Sequence, residues 1–212
     1  MKRSGKNVAV IDYGMGNLMS VLRAWQYVGA DARLVSKPVE VDNADILVFP
    51  GQGAITDAMR VLDSSGFSEK IREWIAADRP FFGICLGLQA LFEYSEEGEC
   101  GCLGVFKGRV RRLRPPRPLK VPHMGWNNAD FRRTTSFRSR LLEGIDEGAQ
   151  FYFVHSYCVE SGDEDLIFAT TQYGPENFVS AVSRGNLVAC QFHPEKSQVA
   201  GLKLYSNFLS CM

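Results

Sequence analysis

Four short apolar runs separated by amphipathic segments constrain this chain more than any other feature. The runs are NVAVI at Asn7–Ile11, then residues 32–35, 46–49 (ILVF) and 81–84 (FFGI). Each is too short for a helix core and reads as a strand, and those other than 32–35, which carries Arg33, are apolar enough to be buried on both sides. Between them, residues 18–27 place Leu18, Val21, Leu22 and Trp25 on one helical face, and residues 67–77 form a second helical stretch ahead of the last run. Strands alternating with amphipathic helices predict an α/β fold with an open, mostly parallel sheet covered by helices on both faces.

Beyond about Leu103 the texture changes. Segments 108–113, 151–159, 166–171, 178–183 and 187–192 follow one another with turn residues between them, and predict an antiparallel section appended to the same sheet, closed by a helix at 202–209. The Pro-rich basic stretch 109–118 (RVRRLRPPRP) reads as an exposed connection or a positively charged loop.

With 212 residues, 45% of them apolar, the chain can bury a full core without disulfides or metal, and one domain over residues 1–212 is expected. Lys plus Arg and Asp plus Glu both number 24, so nothing in the charge balance calls for a nucleic-acid or membrane partner. The N-terminal apolar run is broken by Asp12 and Gly14, unlike a secretory signal, and no run approaches the ~20 apolar residues of a membrane span. A soluble, cytoplasmic protein is expected, its six cysteines reduced. Cys100 and Cys102 form a CxC pair and only three histidines are present, so no metal site and no cofactor is expected. Gly14-Met15-Gly16-Asn17 has Met19 where a dinucleotide fingerprint needs its third glycine, and no phosphate-binding loop sequence occurs.

The chemistry concentrates in three places. FFGICLGLQ (81–89) runs an apolar strand into a helical pattern with Cys85 at the junction and glycines two residues to either side. A nucleophile on a sharp strand-to-helix turn needs small neighbours there. The following helix is expected to favour the thiolate, and the Leu86 N–H to face a developing oxyanion. VACQFHPE (188–195) ends a strand in His-Pro-Glu, and in extended backbone His193 and Glu195 share a face, as a general base and its orienting carboxylate would. ILVFPGQG (46–53) ends a strand in a glycine-flanked turn whose backbone N–H groups, at Gln52 and Gly53, suit the rest of an oxyanion hole.

Together these elements resemble the class I (triad) glutamine amidotransferases, and the resemblance covers essentially the whole chain. It implies a flavodoxin-like sheet and hydrolysis of L-glutamine through a glutamyl thioester, with Cys85 as nucleophile, His193 as base and acid, and Glu195 as orienter. It places Gly51, Gln89, Glu97, Ser156 and Tyr157 against the substrate, with Glu97 toward its α-amino group. The run Glu93, Glu96, Glu97, Glu99 has a second reading as a solvated acidic face.

Within that class, IDYGMGNL (11–18), HMGWN (123–127), YFVHSY (152–157) and QFHPEKS (191–197) are similar to the family of glutaminase subunits of imidazole glycerol phosphate synthase. Cys190, where a glycine is commoner, and Pro175, in a usually glycine-rich turn, depart from the pattern without touching the triad. The narrower resemblance implies delivery of ammonia to a separate (β/α)₈ cyclase subunit, docked near Asn17, Trp126, Tyr152 and Lys196. The glutaminases of anthranilate, aminodeoxychorismate and pyridoxal phosphate synthesis share the triad and stand as alternatives, against which the stretches at Tyr13, Trp126 and His155 argue. A non-enzymatic relative that keeps the fold is the alternative from another class, disfavoured by the intact Cys85, His193 and Glu195.

Overall fold

The computed structural model describes residues 5–212. The first half consists of β1 (Asn7–Ile11), α1 (Leu18–Tyr27), β2 (Asp31–Val35), β3 (Ile46–Gly51), α2 (Ile55–Ser65), α3 (Phe67–Ala76), β4 (Phe81–Cys85) and the single-turn α4 (Leu86–Gln89). The expected strands are present, and β3 and β4 run on to Gly51 and Cys85. Helix α2 is additional to the expected pair. Gly66, at φ 82°, ends it and turns the chain directly into α3.

The second half comprises β5 (Tyr94–Ser95), β6 (Cys100–Gly101), β7 (Arg109–Arg112), β8 (His123–Asn128), β9 (Asp130–Phe131), α5 (Ser136–Leu141), β10 (Gln150–His155), β11 (Tyr157–Glu160), β12 (Ile167–Tyr173), β13 (Glu176–Arg184), β14 (Leu187–Cys190) and α6 (Gln198–Cys211). Strands β2-β1-β3-β4-β14 are parallel neighbours, and β13, β11 and β7 extend the sheet with antiparallel pairings. The fold is therefore the expected mostly parallel sheet with an appended antiparallel section.

Two expectations need correction. The segment 151–159 is two strands broken at Ser156, and its first part, β10, leaves the main sheet to pair with β8 in a separate two-stranded ribbon. The basic stretch 109–118 is not simply a loop. Arg109–Arg112 is strand β7, and Arg109, Arg111 and Arg114 pair with Glu160, Glu176 and Glu96 at 2.7, 2.7 and 3.0 Å. These arginines are spent within the protein, the first two on Glu160 and Glu176 at strand ends brought together by the sheet. The initial residues 1–4, with the basic Lys2 and Arg3 ahead of the apolar run, lie outside the described residues.

Alternate residues of the central strands feed two cores. Val8, Val10, Phe82 and Ile84 face α1 and α6, whereas Ala9, Ile11, Phe49 and Phe81 face α2 and α3. On the first side Trp25 stacks on Tyr205 with centroids 4.5 Å apart and meets Phe82 edge-on at 5.6 Å, which fixes α1 and α6 against β4. Glycines let α4 sit directly against the strands. A Cβ on Gly83 would stand 2.8 Å from the Ala189 Cβ, and one on Gly87 would overlap the Phe49 carbonyl. No helix among the described residues is long and apolar enough to cross a membrane.

Candidate active site

Strand register brings the three motifs together. Gly51 of β3 lies opposite Cys85 of β4, and Cys190 of β14 lies opposite Ile84, so three adjacent parallel strands end side by side. Their C-terminal edge is where open α/β sheets present ligand sites. Cys85 leaves β4 at φ 55° and ψ −104°, a conformation that L-residues avoid and that costs about 1–3 kcal/mol. The turn it makes sends the chain into α4 and leaves the residue 8% exposed. The expected helix behind Cys85 is present but has one turn only. Any stabilisation of the sulfur there comes from nearby N–H groups more than from an extended helix dipole.

Past β14 the chain turns at once. His193 accepts its place from a bond between its N–H and the Tyr152 carbonyl (2.9 Å), and Pro194–Lys196 forms a single 3₁₀ turn. His193 Nδ1 and Glu195 Oε1 meet at 2.8 Å with both side chains buried, so the pair forms through this turn and not through strand alternation. Ser197 holds the turn closed. Its hydroxyl donates to the His193 carbonyl at 2.6 Å and accepts from Tyr152 N–H at 2.9 Å. Burial pulls the His193 imidazole down, but the negative charge of Cys85 and the bond to Glu195 outweigh it and raise the group to about 10. His193 Nε2 is buried with no hydrogen bond of ordinary geometry, and the Cys85 sulfur is close enough to dominate its electrostatics. Such an arrangement can supply a sulfur nucleophile, an imidazole able to give and take a proton, and a carboxylate that orients the imidazole.

A cleft of about 400 Å³ opens over the sulfur, lined by Gln52, Gly53, Cys85, Leu86, Gln89, Glu97, Ser156 and Tyr157. Of the residues expected at the reacting centre and the substrate, these eight share one cavity, whereas His193 and Glu195 lie buried beside a narrow gap next to it. Gly51 lies just behind the wall, buried against Leu86. Glu97 is not part of a freely solvated acidic face. One of its oxygens accepts from the Ile55 N–H at 3.0 Å, tying the cleft to the start of α2. Glu96 likewise accepts from Arg114 and from the Arg112 N–H.

At the mouth, Trp126 and Tyr152 pack edge to face at 6.0 Å and the Lys196 ammonium stands 5.8 Å from the Tyr152 ring. Trp126 is 44% exposed and its neighbour Met124 61%. Asn17 lies elsewhere, exposed at the head of α1, beside a narrow gap shared with Gly51, Gln52, His193 and Glu195.

Comparison with known proteins agrees with this geometry. Residues 9–211 match the family Glutamine amidotransferase class-I. Imidazole glycerol phosphate synthase subunit HisH of Synechococcus sp. (strain JA-3-3Ab) is 48% identical over 95% of this chain and 92% of its own. The protein of the same name from Chromobacterium violaceum is 49% identical over 96% of this chain and 97% of its own. The chain belongs to the class-I glutamine amidotransferases. Two solved structures share the fold at low identity. One is described as a glutamine amidotransferase (TM-score 0.71, 20% identical, covering 96% of this chain and 97% of that one), the other as PurLQS from Thermotoga maritima (TM-score 0.73, 16% identical, 97% and 98%).

In this amidotransferase the sequence reading missed four side chains that hold the site. Ser197 is one. Gln191, fully buried, donates from Nε2 to the Cys85 sulfur at 3.4 Å. His123 and His155 are the others. His155 Nδ1 donates to the Tyr157 carbonyl at 2.8 Å, and its Nε2 faces His123 Nδ1 at 3.0 Å. Since the carbonyl can only accept, His155 carries its proton on Nδ1 and receives a hydrogen bond from His123, whose Nε2 in turn receives one from Asn127 at 3.3 Å. The motifs HMGWN and YFVHSY could have suggested this pairing, because in the ribbon register His123 stands opposite His155.

Burial lowers His123 to about 4; it also lowers His155, to about 3, where the charges of His123 and His193 add to the effect. Both are held neutral in the fold but protonate near their ordinary value of 6.5 when unfolded, so the unfolded chain takes up protons first. Their contribution to stability is complete above pH 6.5 and is lost as pH falls from there toward 3 to 4. The urea midpoint should therefore drop between pH 7 and pH 4, and His155→Gln should flatten that dependence. An equal or steeper loss in the variant would show that the histidine pair does not carry it.

Proposed function

We propose that this chain is the glutaminase subunit of an imidazole glycerol phosphate synthase, acting in histidine biosynthesis. It hydrolyses L-glutamine to glutamate and ammonia and passes the ammonia to a (β/α)₈ cyclase subunit. The observation that carries the chemistry is a strained Cys85 turn, open to a cleft, next to a buried His193–Glu195 pair. The identity of 48–49% to HisH subunits along nearly the whole chain favours this synthase over the anthranilate, aminodeoxychorismate and pyridoxal phosphate systems.

In this reading the Cys85 thiolate attacks the side-chain carboxamide carbon of glutamine. The carbonyl oxygen becomes an oxyanion facing the N–H groups of Leu86 and of the Gln52–Gly53 turn. His193 gives its Nε2 proton to the departing nitrogen, which leaves as ammonia, and a glutamyl thioester remains on Cys85. Neutral His193 then takes a proton from water as the water attacks the thioester, and glutamate leaves with the sulfur restored as thiolate. Glu195 keeps the imidazole oriented and offsets its charge. Gln89 and Glu97, with Ser156 and Tyr157, hold the amino-acid end of the substrate.

Trp126, Tyr152 and Lys196 supply the docking face, with Asn17 at its far side. The half-exposed Trp126 becomes the buried anchor on assembly, and Lys196, held over Tyr152, becomes a charged contact.

Cys85→Ala should abolish glutamine hydrolysis while the assembled enzyme still makes product from free ammonia. His193→Ala should fall by several orders of magnitude and Glu195→Ala by less, because the carboxylate only orients. Product formed from glutamine by the Cys85→Ala complex at near wild-type rate would exclude this assignment, and a larger loss in Glu195→Ala than in His193→Ala would reverse the roles of the pair.

The free chain should be a poor glutaminase. Gly53 stands at φ +95°, and the buried Tyr13 hydroxyl, unpaired by ordinary hydrogen-bond criteria, feels both Cys85 and the Gln52 N–H. An amide between two glycines that is drawn toward Tyr13 can rotate into the cleft when a partner docks. Glutamine turnover should rise when cyclase and its nucleotide ligand are added, and Trp126→Ala should weaken that rise. A free chain already at full rate, and indifferent to the partner, would refute the latent oxyanion hole.

A further inference from the structure

Resting on the reading of Cys85 as nucleophile, we propose that Gln191 is the positioning residue of this sulfur, its side-chain N–H aimed at Cys85 because the Gln89 amide, held by the Tyr157 carbonyl, donates to its oxygen. Each link has a fixed donor. The Tyr157 carbonyl can only accept, and it takes the Gln89 Nε2 at 3.0 Å together with His155 Nδ1 at 2.8 Å. Gln89 therefore presents its amide nitrogen on that side, and the same nitrogen gives its second proton to Gln191 Oε1 at 3.0 Å. With its oxygen committed, Gln191 has only Nε2 left to turn toward Cys85, at 3.4 Å from the sulfur. Reversing Gln89 would set its oxygen against two acceptor oxygens. The orientation of both amides follows from the acceptors around them and from no arbitrary choice of nitrogen and oxygen.

The consequence is electrostatic. Gln191 is fully buried, and its own backbone N–H is fixed to the Ser180 carbonyl at 2.8 Å. A rigid N–H dipole pointing at sulfur in a dry site favours thiolate over thiol and restricts the sulfur to one direction. With only one helical turn behind Cys85, this side chain takes over much of what a longer helix would provide. It acts through the nucleophile and has no need to touch substrate. Gln89 spends both protons of its amide inside the protein, which leaves its oxygen as the atom free for the substrate.

The test is the pH profile of Cys85 alkylation by iodoacetamide, read on the Cys85 peptide by mass spectrometry with the full chain. Gln191→Met keeps the length of the side chain and removes the N–H. Gln191→Glu places an acceptor against the sulfur. Relative to wild type the profile should move to higher pH in Gln191→Met, with alkylation at pH 7 slower by about tenfold, the factor carried by one pH unit, and further in Gln191→Glu. Gln89→Leu, which frees the Gln191 amide to turn, should move it in the same direction by less. A companion measurement leaves Gln191 and Gln89 unchanged. In the wild-type chain the Gln191 side-chain amide resonances should shift through the same pH range as Cys85 alkylation, and that shift should vanish in Cys85→Ser. An unchanged profile in Gln191→Met, or amide resonances that ignore Cys85, would overturn the inference while leaving the glutaminase reading intact. A wild-type Cys85 no more reactive than the other five cysteines would remove both.

Discussion

Cys85 occupies a backbone conformation that its side chain disfavours, and the rest of the site is organised around that fact. At φ 55° the residue stores about 1–3 kcal/mol of strain that the surroundings must offset. They do so by packing. β3 and β14 flank β4 in parallel register, α4 sits flush on Phe49 because Gly87 has no Cβ, and Trp25, Tyr205 and Phe82 clamp the opposite face. A core that loosened under β4 would let the turn relax and swing the sulfur away from His193.

The three histidines divide into two electrostatic regimes within one small region. His193 is raised to about 10 because, although burial opposes its charge, it lies between a sulfur and a carboxylate. His123 and His155 are lowered to about 4 and 3 because burial acts on them with no anion to compensate. Their neutrality lets them act as a fixed donor–acceptor series that ends on the Tyr157 carbonyl, at the wall of the cleft. The same carbonyl starts the series through Gln89 and Gln191 to Cys85. One peptide group thus joins the β8–β10 ribbon, which bears Trp126 and Tyr152, to the sulfur. The ribbon proposed to meet a partner and the side chains proposed to position the sulfur are linked by hydrogen bonds.

Much of this was legible in the sequence. The apolar strands, the Cys85 turn and the His-Pro-Glu ending are local patterns set by periodicity and chain stiffness, and the structure puts them on neighbouring strand ends. Gln89, Ser156 and Tyr157, which the sequence suggests as substrate contacts, line the cleft over Cys85. What could not be read depends on distant partners. The segment 151–159 looked like one strand because nothing local reveals that Ser156 is where the chain leaves one sheet for another. The arginines of 109–114 looked like a loose basic run because their partners, Glu96, Glu160 and Glu176, are brought to them only by the sheet. Gln191 was visible within its motif, yet its direction is set through Gln89 by Tyr157, far away in sequence.

The central claim is that a glutamyl group is carried on Cys85 during turnover. The most direct measurement is mass spectrometry of the chain, assembled with the cyclase and its nucleotide ligand, after rapid acid quenching during glutamine turnover. A glutamyl adduct confined to the Cys85 peptide is the predicted result. Turnover that proceeds with no adduct there, or with the adduct on another cysteine, would contradict it.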